Sequence, residues 1–117
     1  EKYKIIETGE NKGRIEALKS FGGISKGAVG GFVESTNNLS DIGDAWVSGS
    51  AIVSGNARIS EDASVSGSAV VSGNARISGH AIVYGNAIVS GNAIVYGNAG
   101  ISGSAVVYGN AWISGDA

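Results

Sequence analysis

The sequence predicts an all-β protein, a single-stranded parallel β-helix of triangular coils, 18 residues per coil, with an N-terminal β cap. Three observations predict it. A six-residue motif, Gly-Asn-Ala-x-(Ile/Val)-(Ser/Tyr), repeats from Gly43 to Ala117 almost without interruption, as in Gly55-Asn56-Ala57-Arg58-Ile59-Ser60 and Gly85-Asn86-Ala87-Ile88-Val89-Ser90. Within each repeat apolar residues alternate with polar or variable ones, the period of a strand with one buried face. The chain has no proline, so no N–H is lost from a long hydrogen-bonded ladder.

Each part of the repeat has a physical task. Ala and Ile/Val point inward, while x and Ser/Tyr point out. Gly-Asn turns the chain, because Gly reaches positive φ freely and Asn tolerates the left-handed region. A six-residue edge leaves no room for a hairpin return, so three edges close a triangle. Stacked triangles hydrogen-bond at about 4.8 Å, and each coil rests on its neighbours. Twelve complete hexads make four coils. Three branched aliphatics per coil give a gain comparable to, or below, the backbone entropy of ordering the coil, so bonding between coils must supply the rest and one coil should not fold alone.

Residues 1–42 differ and are read as the cap with an irregular first coil, ahead of the continuous helix of 43–117. Tyr3-Lys4-Ile5-Ile6 and Arg14-Ile15-Glu16-Ala17-Leu18 are expected as short strands, with Gly9–Gly13 as the turn between them. All the lysines lie here, which suits a solvated cap over the first coil's core and unpaired edge. The solenoid is expected to begin near Val33. Val33–Leu39 is an imperfect edge, and Leu39–Ala45 is a hexad with two extra residues in its corner.

The aliphatic residues six apart, each with a small residue four places on (Val65 with Ala69, Val71 with Ala75, Ile77 with Ala81, Val83 with Ala87), resemble the hexapeptide-repeat family, with the glycine one place later than usual. That resemblance implies a left-handed helix, acyltransferase activity in many members, and trimers. Arg14–Leu18, Phe21, Gly30–Ser35, Asn38-Leu39-Ser40 and Gly43-Asp44-Ala45-Trp46-Val47 further resemble the start of YdcK-type bacterial and prophage proteins, a cap followed by Gly-Asn/Asp-Ala repeats. These are described as acyltransferase-like on account of their fold, and fold alone does not fix function.

The expected function is a non-catalytic structural or protein-interaction β-solenoid module. The alternative is a hexapeptide-repeat acyltransferase with its site at an oligomer interface. Only the alternative calls for a cofactor, CoA or acyl-CoA, and for a catalytic base. The one histidine, His80, occupies a corner slot eighteen residues after Asp62. Stacking sets the two on neighbouring coils, where a carboxylate that orients an imidazole is base-like chemistry. The bland alternative is that His80 simply fills a slot otherwise held by Asn, Asp or Ser. No metal site is expected, since there is no cysteine and His80 stands alone among scattered carboxylates.

The outward positions form rows. One face reads Ile52, Val70, Ile88, Val106; the second Trp46, Ser64, Ile82, Gly100; the third Arg58, Arg76, Ile94, Trp112. The first is an unbroken apolar stripe, a candidate interface, though branched residues also favour strands when exposed. Tyr84, Tyr96 and Tyr108 replace Ser in the later coils and add to the candidate contact surface. Asn56, Asn74, Asn92 and Asn110 share one edge, where stacked amides can bond along the ladder. Self-association is expected, a trimer in particular, or else a protein partner. The net charge of −2 gives no case for nucleic acid or an anionic membrane, and no apolar run reaches a bilayer span. The chain starts at Glu1 and stops within a repeat, which is read as a piece of a longer protein. The sequence thus fixes no location, with the cytoplasm a mild expectation.

Overall fold

The computed structural model describes residues 2–7 and 13–115. The Gly9–Gly13 turn falls almost wholly outside them, as does Ala117. Strand β1 (Tyr3–Glu7) pairs antiparallel with β2 (Gly13–Ala17), and β2 pairs antiparallel with β3 (Val29–Val33). From β3 onward every pairing is parallel, because the chain now winds in one direction.

Three parallel sheets form the walls of the solenoid. The first continues from β3 through Ile52–Val53, Val70–Val71, Ile88–Val89 and Val106–Val107. The second stacks Trp46–Val47, Ser64–Val65, Ile82–Val83 and Gly100–Ile101. The third stacks Arg58–Ile59, Arg76–Ile77, Ile94–Val95 and Trp112–Ile113. From Trp46 onward each strand is two residues long, and its partner in the next coil lies eighteen residues on, as Ile82 with Gly100.

The first coil is longer, as the sequence predicts. Phe32 pairs with Ile52, and Leu39 bridges to Ile59, both twenty residues apart. Trp46 pairs with Ser64, eighteen apart. The two extra residues therefore lie between Leu39 and Trp46. Asn38 organises the preceding corner from a fully buried position. Its carbonyl oxygen accepts from the N–H groups of Glu34 and Ser35, and its amide donates to the carbonyls of Gly55 and Ala57. Ser35 caps the short 3-10 turn Thr36–Asn38 reciprocally.

The core is a column of small and branched side chains. Ala51, Val53, Ala57 and Ile59 are fully buried, and the same two positions of each hexad stay buried through Ile101. Corner glycines hold positive φ, as Gly67 at +70°. A Cβ there would also meet the Gly85 nitrogen at 2.9 Å, so stacking as well as φ demands glycine. The asparagines beside them keep negative φ, so their tolerance of the left-handed region is not used.

The cap closes one end. Lys2 is buried, its ammonium donating to the Gly43 and Ala45 carbonyls and lying 4.9 Å from the Phe21 ring centre. The segment between β2 and β3 folds over Trp46, with Phe21 edge-on at 5.4 Å. Trp46 therefore does not head an exposed outward row, as its position in the repeat implied; it is 5% exposed. Gly30 permits this, since a Cβ there would fall 2.9 Å from the indole. Among the described residues no helix is long and apolar enough to cross a membrane.

Candidate functional site

The hexad register carries every outward side chain to a fixed wall or corner, so the candidates separate cleanly. Ile52, Val70, Ile88 and Val106 stack in register on the first face. Phe32 extends the row on the cap side, and the Arg14 guanidinium lies 4.6 Å from its ring centre. Exposure grows along the row: Ile52 and Val70 are half-buried, whereas Ile88 is 40% and Val106 57% exposed.

The tyrosines do not join that row. Tyr84, Tyr96 and Tyr108 each follow a strand of a different wall, so each stands at a different corner of the triangle. All three are exposed. Tyr108 follows the Val106–Val107 strand and borders the first face; Tyr96 meets Trp112 edge-on at 6.3 Å on the third. The register of hexads spaced twelve residues apart, rather than eighteen, is what disperses them.

His80 and Asp62 meet as their spacing predicts. His80 Nδ1 lies 3.6 Å from Asp62 Oδ2, with the His80 side chain 70% and the Asp62 side chain 44% exposed. The other carboxylate oxygen, Oδ1, accepts from the Asp44 N–H at 3.2 Å. Neither of the two hollows beside the third face includes His80. The pair sits on a convex corner, where water reaches both partners and little excludes it from a reacting group. Among the described residues no three side chains of metal-ligating type cluster.

The asparagine edge forms a hydrogen-bonded ladder. The Asn56 amide donates to Asn74, Asn74 to Asn92 and Asn92 to Asn110, at 3.1–3.2 Å. Glu61 is the feature that repeat reasoning passed over. It takes a corner normally held by glycine, with φ +57°, and its carboxylate accepts from the Gly79 N–H at 2.7 Å. The break in the motif at Ser60-Glu61-Asp62 was the available signal. Arg58 and Arg76, a row on the third face, line both hollows of that side.

A family model described as the YdcK beta solenoid repeat matches residues 57–73, 75–91, 83–97 and 89–103. Among curated proteins none matches the chain.

Proposed function

We propose, on the premise that the coils of residues 57–103 belong to the YdcK beta solenoid repeat family, that this β-solenoid is a non-catalytic interaction module. One observation carries the reading: the outward row Ile52-Val70-Ile88-Val106 runs in register through every coil of the first face. A flat wall with a continuous apolar row matches a second such wall, and self-association to a closed trimer is the assembly the reading favours. Replacing Val70 and Ile88 together with lysine is then expected to give a folded monomer by light scattering and circular dichroism. A wild-type chain already monomeric at high micromolar concentration would remove the self-association and leave strand propensity to explain the row.

The 3.6 Å approach of His80 to Asp62 supports a second reading, an acyl-CoA-dependent acyltransferase completed at an oligomer interface. It requires acyl transfer from acyl-CoA to an amine or hydroxyl acceptor that disappears in His80→Ala with the fold intact. The module reading expects no such turnover.

A further inference from the structure

Arg58 and Arg76 lie opposite each other in neighbouring coils of the third face. Two exposed cations are thus held in register at the strand spacing of about 4.8 Å. Like charges so placed repel. The fold does not require them, since Ile94 and Trp112 fill the same outward position in the next two coils. Among the described residues the contacts between basic and acidic side chains are Lys4–Glu16 and His80–Asp62, so neither guanidinium has a carboxylate partner. The acids that line the same hollow are engaged elsewhere: Asp41 accepts from the Lys2 backbone N–H and Glu61 from that of Gly79, both at 2.7 Å.

The two arginines form the wall shared by adjoining hollows. The larger, about 710 Å³, is closed on the cap side by Tyr3 and Leu39 and rimmed by Asp41 and Glu61. The smaller, about 260 Å³, adds Asn56 and Asn74 to the same pair, and Asn37 lines both hollows. The larger volume falls in the range of small-molecule sites. A guanidinium offers only donors, in a planar fork that matches an oxyanion. The asparagine amides and the rim carboxylates suit hydroxyl groups. Those carboxylates also repel a densely charged polyanion.

We propose that Arg58 and Arg76 bind a small organic anion, a carboxylate or phosphate carried on a hydroxylated body. The oxyanion bridges the two guanidiniums, and the hydroxyls meet the Asn56 and Asn74 amides on one side and Glu61 on the other. This site is independent of the first face and of His80.

Calorimetric titration of the intact chain with glucuronate and with glycerol phosphate tests it, with glucose and inorganic phosphate as controls. At least one of the two hydroxylated anions is expected to bind, more weakly as salt is raised. Binding of glucuronate alone identifies the carboxylate source, and of glycerol phosphate alone the phosphate source. Arg58→Gln and Arg76→Gln should each lower affinity about tenfold or more, the worth of a charge-assisted hydrogen bond. Both positions are exposed, so the variants should fold as well as the wild type, and relief of repulsion should, if anything, raise their stability. Amide and side-chain shifts in the NMR spectrum should concentrate on Arg58, Arg76, Asn56 and Asn74. The proposal is overturned by no binding of either anion at millimolar concentration, by glucose binding as tightly, by inorganic phosphate matching glycerol phosphate when glucuronate does not bind, or by affinity surviving in the double variant.

Discussion

Tyr3 shows how one side chain fastens the cap to the solenoid. Its hydroxyl donates to the Leu39 carbonyl at 2.7 Å, and burial together with the Asp41 charge pushes its pKa up to about 12 from 10.0. The folded chain therefore keeps a proton that the unfolded chain releases, and stability contributed by Tyr3 is present below pH 10 and lost as pH rises through 12. Lys2 acts in the opposite sense. Burial lowers its pKa below 10.5, so its desolvation penalty fades as pH rises toward that value. Tyr3→Phe should cost about 1 kcal/mol at neutral pH, the worth of one hydrogen bond. It should also flatten the alkaline fall of the thermal midpoint between pH 10 and 12. A wild-type midpoint with no such fall would discount this role for the phenol. Glycines separate two further effects at the same scale. Gly23 and Gly79 both have positive φ, at +84° and +69°, but a Cβ meets nothing within 4 Å at Gly23 and the Gly97 nitrogen at 2.9 Å at Gly79. Gly79→Ala should thus cost more than Gly23→Ala by about 1–3 kcal/mol, the range for overpacking. Equal shifts in urea midpoint would mean that φ alone, and not coil stacking, selects glycine at the corners.

The hexad is the element on which the architecture depends, and its inside and outside are adjacent residues. Ala87 is fully buried and Ile88 is 40% exposed. Ala87→Leu should destabilise by about 1–3 kcal/mol or more, because the narrow core has no space for the added volume. Ile88→Leu should be nearly neutral for folding of the monomer. Thermal unfolding that ranked them in reverse would put the register wrong by one residue. This register was legible from the repeat itself: inward aliphatics, corner glycines, the asparagine ladder and the His80–Asp62 approach all follow from a spacing of eighteen. Where the repeat breaks, the sequence was less informative. Trp46 obeys the outward rule of its hexad, and only tertiary folding of the segment around Phe21 and Gly30 covers it. Asn38 looks like another corner asparagine, yet its burial and four hydrogen bonds depend on a 3-10 turn that periodicity does not encode. The hollow beside Arg58 and Arg76 is likewise made by the cap, where Tyr3 and Leu39 meet the solenoid wall.

At the scale of the whole molecule, stability is distributed along one axis. Each coil touches only its neighbours, so free energy sums over coils and the contacts between them. The cap end is tied by Lys2, Tyr3, Asn38 and the Phe21–Trp46 pair. In this chain the residues of the last coil are more open: Ala105 is exposed, and Val107 and Ile113 are only half-buried. Unfolding should accordingly start from the coil of Ala105–Ile113 and move toward the cap, rather than occur as one transition. The two tryptophans give the means to see it, since Trp46 is 5% and Trp112 68% exposed. In Trp112→Phe the remaining indole reports the cap end, while far-ultraviolet circular dichroism reports all coils together. The circular dichroism midpoint should fall at lower urea than the red shift of Trp46 emission. Coincident transitions would show that the solenoid melts as a single cooperative unit, with contacts between coils strong enough to hold the open coil to the cap.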